Sequence, residues 1–382
     1  MDVLMLLANG FPPDIRVYKE AKTLTENGKD VEIFCWDRLG EFKADDKLDD
    51  IKVTRVGPKS SYGNTNENML MMPFFWKKCF FKCLNSGAKV IHCHDFDTLI
   101  PGFLAAKLSG KKIVYDSHEN YTASIKNKVP SPICKIISIT EKFMSKRCDY
   151  VITINQLIGD IFESNGAKVL IIMNAQDSRQ YDIEYLQLEK IREKFAGKDK
   201  FVICYIGGLR KERCLGELLE SIDYLSKTEK NKVKILIIGR GPDKEELEKT
   251  INTKYNKNAC IKDFIDPFLV PAYTLASDGV YCVGNPKLYK NVEYAASNKL
   301  FESICAHKPI IVNDVGIMGD VISENRIGAI VKNTPQSIAG GIRKIMQMSK
   351  SKEFYQKSKK AEIKYNWESE SKKLLNMYSK II

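Results

Sequence analysis

The sequence has 382 residues, of which 60 are lysine or arginine and 48 are aspartate or glutamate, so its formal net charge is +12. This length exceeds the roughly 250–300 residues at which a single hydrophobic core stops growing, and we expect two domains. No run of about 18 apolar residues occurs, so no transmembrane helix is expected. The positive charge favours anionic partners, namely nucleotide phosphates, acidic lipids or nucleic acid, without choosing among them.

The eleven cysteines are scattered between Cys35 and Cys305, and no two of them form a C-x-x-C pair. This distribution indicates reduced thiols and a cytoplasmic protein. The N-terminus lacks the basic region of a signal peptide, and we interpret its apolar run as a buried first strand.

The first half of the chain alternates short apolar runs with helical patterns. Strands that alternate with helices of this length are typical of a doubly wound parallel sheet. The acidic run at residues 45–50 is interpreted as a solvated loop. The predicted elements of this half are strands over residues 3–8, 31–36, 90–93, 113–115, 150–154 and 169–173, with helices over 17–27 and 99–108.

The same alternation starts again near residue 200 and predicts a second Rossmann-like domain. We place the boundary after the strand at 169–173, which gives domains of residues 1–174 and 175–361. Residues 362–382 end in a helical pattern that could pack across either domain. The predicted elements of this half are strands over residues 201–206, 233–238, 279–283 and 310–312, with helices over 215–225, over 244–250 and from Asn298.

Residues 69–84 combine methionines, aromatic residues and lysines. Pro73 is expected to start a helix with one apolar stripe and flanking cations. Such a helix suits an anionic membrane surface. A helix that covers the sheet, with lysines reaching out to water, is an equally good interpretation. The predicted stripe consists of Trp76, Phe80, Cys83 and Leu84, flanked by Lys77, Lys78 and Lys82.

Ligands of open α/β sheets bind beyond the carboxyl ends of the strands, so the loops at these ends are candidate sites. The loop at residues 9–16 contains Gly10, which permits close approach of a substrate, but it is not a G-x-G-x-x-G fingerprint. The loops at 92–97 and 116–119 contain three of the four histidines, which are His92, His94 and His118.

Three histidines with nearby carboxylates could hold a metal ion. No H-E-x-x-H motif or helical i, i+4 histidine pair is present, and all three positions are predicted loops, so we expect no metal site. His118, flanked by Ser117 and Glu119, is the better candidate for hydrogen bonding a substrate hydroxyl, with a structural histidine as the alternative.

A glycine pair and several cations follow the strand at 201–206. Glycines bring the backbone close to a ligand, and cations can neutralise a diphosphate. The turn at residues 239–242 lacks a third glycine and is weak evidence for a dinucleotide site. The residues after the strand are Gly207, Gly208, Leu209, Arg210, Lys211, Glu212 and Arg213.

The turn at residues 297–302 combines two good helix N-caps, Ser297 and Asn298, with Lys299 and Glu302 on one helical face. Backbone N–H groups, the helix dipole and an ammonium suit phosphates, and a carboxylate can accept two ribose hydroxyl hydrogen bonds. An ordinary capped helix with an exposed ion pair is the alternative.

These segments, in this order, resemble the GT-B glycosyltransferases, specifically the retaining family 4. The resemblance covers nearly the whole chain. It implies an α/β fold of two facing Rossmann-like domains, in which the first binds the acceptor, the second binds the nucleotide-sugar donor and a C-terminal helix returns to the first. The segments that carry it are residues 14–21, 92–95, 116–119, 207–213, 238–241 and 298–302.

The resemblance also implies roles for individual residues. Glu302 would bind the donor ribose, Arg213 and Lys299 would neutralise the diphosphate, and His118 would touch the transferred sugar, which makes these four the candidate catalytic residues. The remaining donor-binding candidates are Gly207, Gly208, Asn298 and Leu300. The candidates for the acceptor site or the donor–acceptor junction are Gly10, Asp14, Arg16, Asp95 and Glu119.

Two positions depart from the family pattern. The first glutamate of the usual Glu-x7-Glu pair would fall on Tyr294, with Glu293 one residue away, and the usual arginine of the phosphate loop is Gly208. We therefore expect the residues around Tyr294 to determine which sugar this chain prefers.

The resemblance implies transfer of a sugar from a nucleoside-diphosphate sugar, as co-substrate, to a glycan or a lipid-linked saccharide with retention of anomeric configuration. We expect neither a metal nor a cofactor, because cations and a helix N-terminus would stabilise the departing diphosphate. A nucleotide-sugar epimerase and a catalytically degenerate partner-binding subunit are the alternatives. No nucleic-acid partner is expected, because positive charge is the only feature of the sequence that favours one. An anionic membrane surface on the cytoplasmic side is a candidate partner of residues 69–84.

Overall fold

The computed structural model describes residues 1–12, 14–60, 65–126, 129–197 and 199–382, with the side chains of residues 65 and 66 excepted. It divides the chain into two compact units. Unit 1 comprises Met1–Met173 together with Glu370–Ile382, and unit 2 comprises Asn174–Ser369. The chain therefore returns to its first unit over its last thirteen residues, later than the expected return at residue 362.

Unit 1 is built around one eight-stranded sheet with the order β3-β4-β2-β1-β5-β6-β7-β8. Every pair of neighbours is parallel except β3 and β4. The strands are β1 Val3–Leu7, β2 Val31–Trp36, β3 Asp45–Leu48, β4 Ile51–Val56, β5 Val90–His94, β6 Lys112–Ser117, β7 Tyr150–Thr153 and β8 Val169–Ile171. The helices of the first 173 residues are α1 Ile15–Glu26, α2 Thr65–Asn85, α3 Phe96–Ser109, α4 Tyr121–Ile125, α5 Ser131–Ser145 and α6 Gln156–Glu163.

Unit 2 contains a six-stranded, all-parallel sheet with the order β11-β10-β9-β12-β13-β14. Its strands are β9 Phe201–Ile206, β10 Val233–Ile238, β11 Ala259–Lys262, β12 Gly279–Cys282, β13 Ile310–Asn313 and β14 Gly328–Val331. The remaining helices are α7 Tyr185–Glu193, α8 Leu215–Glu220, α9 Lys227–Lys232, α10 Lys244–Thr250, α11 Val270–Leu275, α12 Asn298–Cys305, α13 Met318–Asn325, α14 Pro335–Met348, α15 Lys352–Lys364 and α16 Trp367–Tyr378.

Both sheets have the strand order of a Rossmann fold, and this confirms the predicted α/β class. The first strand of each unit, β1 or β9, lies beside the strand at which the order reverses, β5 or β12. The central strands are buried along their length because helices cover both faces of a parallel sheet. In unit 1 the loops after β1, β5 and β6 therefore lie together where ligands bind in such folds, and in unit 2 the loops after β9 and β10 do so.

The acidic run of residues 45–50 was predicted to be a loop, and this prediction is wrong. Asp45–Leu48 forms β3, an antiparallel edge strand paired with β4, although three of its four side chains are exposed as a solvated segment would be. Pairing with a neighbour offsets the low β-propensity of these residues. Four strands were not predicted. β3, β11 and β14 have only four residues each, and β4 has six but carries Lys52 and Arg55 among its apolar residues.

The helix predicted to start at Pro73 begins eight residues earlier, because α2 runs from Thr65 to Asn85 with Pro73 inside it. Pro73 is exposed, so the backbone carbonyl that it deprives of a hydrogen bond lies on the wet side of the helix. Of the predicted stripe only Cys83 is buried, and its other three members are half-buried beside the buried Phe75 and Cys79. Lys82 pairs with Glu32 of β2 at 2.7 Å, as a sheet-covering helix requires.

No helix in the described part of the chain is both long and apolar enough to cross a membrane. All eleven cysteines are free thiols, and ten of them are buried.

Candidate active site

The loop after β1 is shaped by its own polar side chains. Asn9 accepts a hydrogen bond from the backbone N–H of Phe11 at 2.9 Å and donates one to Asp14 at 3.2 Å. Asp14 is the N-cap of α1 and accepts from the backbone N–H groups of Arg16 and Val17. The loop therefore fixes the first turn of α1, which carries Arg16.

Arg16 binds the carboxylate of Asp116, which lies near the end of β6. Its Nε donates to Oδ2 at 2.9 Å and its Nη2 donates to Oδ1 at 2.7 Å, while Nη1 donates to the carbonyl of Ile172 at 2.9 Å. Both side chains are buried, Asp116 completely. This bidentate pair joins two of the predicted segments, residues 14–21 and 116–119, although 100 residues separate them.

Asp116 also holds two histidines. Its Oδ2 accepts from Nε2 of His118 at 2.7 Å and from Nδ1 of His94 at 3.1 Å. On the other side of His118, Asp95 accepts from its backbone N–H at 3.0 Å, and the Asp95 carboxylate lies 3.3 Å from its Nδ1. Asp95 adopts a positive φ of 58° and makes this contact instead of capping α3.

The two carboxylates keep His118 charged. Burial disfavours the imidazolium, but Asp95 and Asp116 outweigh this effect and raise the pKa of His118 to about 10. Burial raises the pKa of Asp95 to about 7 against the opposing charge of His118. Burial also acts to raise the pKa of Asp116, but Arg16 and His118 hold it well below its usual range. At neutral pH His118 is therefore a cation and a hydrogen-bond donor, which suits contact with a substrate oxygen.

Glu20, one turn after Arg16, is a buried carboxylate that the sequence analysis did not select. Burial and the nearby Asp116 raise the pKa of Glu20 to about 8. Its place in the sequence, four residues after Arg16 on a helix, was the available signal.

His92 is also buried, and its Nδ1 lies 2.8 Å from the hydroxyl of Tyr378 in α16. The spacing of these residues in the sequence did not reveal this contact.

Four of these side chains form a set that has the composition of a metal site. Both oxygens of Asp116 already accept hydrogen bonds, and a divalent cation would lie beside two side-chain cations, Arg16 and His118. The neighbouring positive charge opposes a metal ion, whereas the Nε2 atoms of both histidines of the set and the carboxylate oxygens of Glu20 are buried without a hydrogen-bond partner among the described residues. The two histidines of this set, His92 and His94, lie on strand β5 and not in a loop as predicted. The ligating atoms that lie within 4.8 Å of one another belong to Glu20, His92, His94 and Asp116.

Two further residues selected for the acceptor or junction lie near this network. A Cβ on Gly10 would meet the ring of Phe42 at 3.2 Å, and its carbonyl accepts from Nε of Arg55 at 2.9 Å. Glu119 is half-buried, and its carbonyl accepts from the hydroxyl of Ser117 at 2.9 Å. Asp14, Arg16, Asp95 and Glu119 thus lie on segments that meet at one edge of the unit 1 sheet.

In unit 2 the loops after β9 and β10 touch through their glycines. The backbone N–H of Gly207 donates to the carbonyl of Ile238 at 2.9 Å, and that of Leu209 donates to the carbonyl of Arg240 at 3.0 Å. A Cβ on Gly239, which has a φ of 152°, would lie 1.9 Å from the Gly207 carbonyl oxygen. The turn at residues 239–242 therefore serves close packing against the Gly207 loop, and this accounts for its glycines without a dinucleotide.

Lys299, in the first turn of α12, reaches this glycine loop. Its Nζ lies 2.9 Å from the point that a Cβ on Gly207 would occupy and 4.9 Å from the ring centroid of Tyr205. The Tyr205 hydroxyl in turn donates to the carbonyl of Gly208 at 2.7 Å. Ser297 occupies the N-cap position of α12 but makes no side-chain capping bond, contrary to the expectation from its identity.

The other donor-binding candidates surround the same point. Arg213 ends a short 3-10 helix after the glycine loop, and like Lys299 it opposes the rise in the pKa of Tyr205 that burial causes. Asn298 is exposed at the start of α12, and Leu300 is buried beneath it. The unit 2 candidates are therefore brought together, with two cations beside an exposed helix start.

Glu302 lies one turn into α12 and is half-buried. It adds to the effect of burial in raising the pKa of Tyr181, so the two side chains are near each other. The hydroxyl of Tyr181 is buried without a hydrogen-bond partner among the described residues, and sequence reasoning missed it. Glu293, one residue from the departing position Tyr294, forms an ion pair with Lys290.

The fold places the chain in a known structural class. A sucrose-phosphate synthase from Thermosynechococcus elongatus superposes with a TM-score of 0.81 at 14% identity, over 100% of this chain and 99% of that one. The Anabaena protein HepE in complex with UDP and glucose gives a TM-score of 0.74 at 13% identity, with both chains fully covered. The fold is that of the GT-B glycosyltransferases.

Sequence comparison leads to the same class. The model described as Glycosyltransferase Family 4 matches residues 15–179, and the model described as Glycosyl transferases group 1 matches residues 187–362. An uncharacterized glycosyltransferase of Methanocaldococcus jannaschii is 24% identical over 330 residues, which are 81% of this chain and 79% of that protein. The chain belongs to the family 4, group 1 glycosyltransferases.

Proposed function

We propose that this glycosyltransferase moves a sugar from a nucleoside-diphosphate sugar to a glycan or lipid-linked saccharide. One observation carries the proposal: the Lys299 ammonium lies on the Gly207 loop, beside Arg213 and the start of α12. This arrangement suits a diphosphate, which binds backbone N–H groups and fixed cations. The HepE structures contain UDP, glucose or UDP-glucose, which supports a nucleotide sugar as the donor class.

The two units would bind different substrates. Unit 2 would bind the donor, with Glu302 accepting hydrogen bonds from the ribose hydroxyls. Unit 1 would bind the acceptor beside Gly10 and Asp95, where the His118 imidazolium can donate a hydrogen bond to a sugar oxygen. Tyr294 and Gly208, which depart from the family pattern, would adapt the donor site to its particular sugar.

The reaction would proceed without a metal or a cofactor and with retention of anomeric configuration. Positive charge from Lys299, Arg213 and the α12 N-terminus would stabilise the diphosphate as its bond to the sugar breaks. We also propose a cytoplasmic location, because a chain with eleven free thiols suits a reducing compartment.

The test is product analysis with UDP-sugars and GDP-sugars in the presence of EDTA, with and without saccharide acceptors. We expect an elongated acceptor, free nucleoside diphosphate and a retained anomeric configuration by NMR. Lys299→Ala and Arg213→Ala should each lower turnover by about 10²–10³-fold. Lys227→Ala is the control. This exposed lysine starts α9, which leads into the amino end of β10, whereas the donor loops follow the carboxyl ends of the strands. An isomerised donor without transfer would overturn the proposal.

A further inference from the structure

We propose that unit 1 docks on an anionic lipid bilayer through the outer surface of α2, α3 and α5, here called the three-helix face. The helices are neighbours. Nε1 of Trp76 in α2 donates to the carbonyl of Asp97 in α3 at 2.6 Å, and Nζ of Lys107 in α3 donates to the carbonyl of Arg147, just after α5, at 2.8 Å. Outward side chains of the three helices therefore share one surface of unit 1.

The outer side of α2 is apolar where a surface helix is normally polar. Leu70, Phe74 and Phe81 are 66%, 59% and 50% exposed. Their spacing of four and seven residues places them on one stripe, away from the buried side chains of the same helix. These buried side chains are Phe75, Cys79 and Cys83. The membrane-facing stripe is thus a different set of residues from the one that the sequence pattern suggested.

The other two helices extend this apolar surface. Leu104 and Leu108 are exposed four residues apart on α3, and Ile136, Ile139 and Phe143 are exposed along one side of α5. A surface that leaves aromatic and branched aliphatic side chains in water on three adjacent helices marks an interaction site, whereas single exposed apolar residues are ordinary.

Cations accompany these apolar side chains, and exposed carboxylates do not. Among the described side chains of the three helices, Glu67 and Asp97 are half-buried, and Glu141 is buried and accepts a hydrogen bond from Tyr115 at 2.6 Å. Long cationic side chains beside apolar ones can contact lipid headgroups while the apolar groups enter the acyl boundary. The exposed cations are Lys77 and Lys78 on α2, Lys107 on α3, and Lys135 and Lys142 on α5.

This combination selects an anionic membrane over other partners. A nucleic-acid surface would use the cations but would not require exposed leucines and isoleucines on each helix. A second copy of the chain would bring equal positive charge to the same face, which opposes association. An acidic bilayer satisfies both components, because each lysine near its surface contributes and each apolar side chain gains by burial.

Vesicle flotation of the full-length protein tests this inference without any sugar substrate. The probes are phosphatidylcholine vesicles with or without about one third phosphatidylglycerol. Wild-type protein should float with the anionic vesicles only. Lys77→Ala/Lys78→Ala should bind at least about fivefold more weakly, as expected for loss of cations at the surface. Phe74→Ser/Phe81→Ser and Ile139→Ser/Phe143→Ser should each weaken binding by about tenfold or more.

The matched control is Lys359→Ala/Lys360→Ala/Ile363→Ser, which removes two exposed lysines and an isoleucine that is 73% exposed from α15 of unit 2. This control should float like wild type. Absence of flotation by wild type, or equal loss in the control, would overturn the proposal. So would full binding by both serine variants, because charge alone would then explain the association. Concentration-dependent dimerisation abolished by the serine variants, without vesicle binding, would assign the three-helix face to a second copy instead.

Discussion

Arg16 of α1 and Asp116 of β6 form a bidentate, buried ion pair at 2.7 and 2.9 Å. The pair joins the loop after β1 to the end of β6, and through Asp116 it orients His94 and His118. The candidate acceptor edge of unit 1 therefore depends on one guanidinium, which leads to a first prediction about stability.

Arg16→Ala should lower the free energy of unfolding of unit 1 by about 3–5 kcal/mol, because it leaves a buried carboxylate without its main partner. Chemical denaturation of the full-length protein measures this loss. Arg179→Ala is the matched control, since Arg179 makes the same bidentate contact with Asp177 but is 65% exposed. The control should cost less than about 1 kcal/mol. Equal effects in the two variants would contradict the importance of the buried pair.

His118 should make stability depend on pH on the alkaline side. Its pKa is raised to about 10 in the folded protein from about 6.5 when unfolded. The stabilisation is therefore complete below about pH 6.5 and is lost as the pH rises through about 10. Unfolding free energies measured between pH 6.5 and 10 should fall more steeply for wild type than for His118→Gln. Glu20 and Asp95, with pKa values raised to about 8 and about 7, also lower the stability as the pH rises from about 4 to about 8, so the range between pH 8 and 10 reports on His118 alone. Parallel profiles for wild type and variant would disprove the charged state of His118.

Gly207→Ala should weaken binding of a nucleoside diphosphate by about tenfold or more. The added Cβ would occupy the space within 2.9 Å of the Lys299 Nζ, and the φ of 155° at this position disfavours any other residue. Isothermal titration with UDP and GDP measures the change. Gly216→Ala is the control, because a Cβ there would meet nothing within 4 Å. Unchanged affinity in Gly207→Ala would remove this loop from the donor site.

Glu302 is expected to accept hydrogen bonds from the ribose hydroxyls of the donor nucleotide. The affinity of wild type for the nucleoside diphosphate that binds should exceed that for its 2′,3′-dideoxy analogue by about tenfold or more, since a polar site is left unpaired by the analogue. Glu302→Ala should bind both with similar affinity. Competition titration measures the ratio. A variant that retains the wild-type ratio would place the ribose elsewhere.

Tyr378→Phe should destabilise unit 1 by about 1–2 kcal/mol, because it removes the hydroxyl that meets the buried His92 at 2.8 Å. This tests the docking of the C-terminal residues 370–382. Tyr185→Phe, at a position that is 71% exposed, should change stability by less than about 0.5 kcal/mol. Thermal unfolding of the two variants measures these changes. Equal shifts in melting temperature would show that the contact from α16 does not stabilise unit 1.

The sequence was informative where local pattern and structure coincide. The buried runs that form β2, β9 and β10 were predicted to the residue, because a strand covered on both faces is apolar along most of its length. Strand ends could be located in the same way, and so the loops at Gly10, His118 and Gly207 were selected. Edge strands such as β3 depend on pairing with a neighbour, which local composition does not express.

Contacts between distant segments were beyond such reasoning. The Arg16–Asp116 pair, the contact between His92 and Tyr378 and the closeness of Glu302 to Tyr181 each depend on the tertiary fold. The buried Glu20 was missed because a glutamate on a helix is normally solvent-facing. The apolar outer side of α2 was not predicted because both sides of this helix carry aromatic residues, so periodicity alone could not tell which side faces the sheet.

Lys299 is expected to hold the diphosphate of a nucleotide-sugar donor on the Gly207 loop. The most direct measurement is isothermal titration of UDP and GDP into wild type, Lys299→Ala and the control Lys227→Ala in the presence of EDTA. We predict that wild type and control bind one of the two nucleotides with equal affinity, and that Lys299→Ala binds it about tenfold or more weakly. Equal binding by Lys299→Ala, or no binding of either nucleotide by wild type, would contradict the claim.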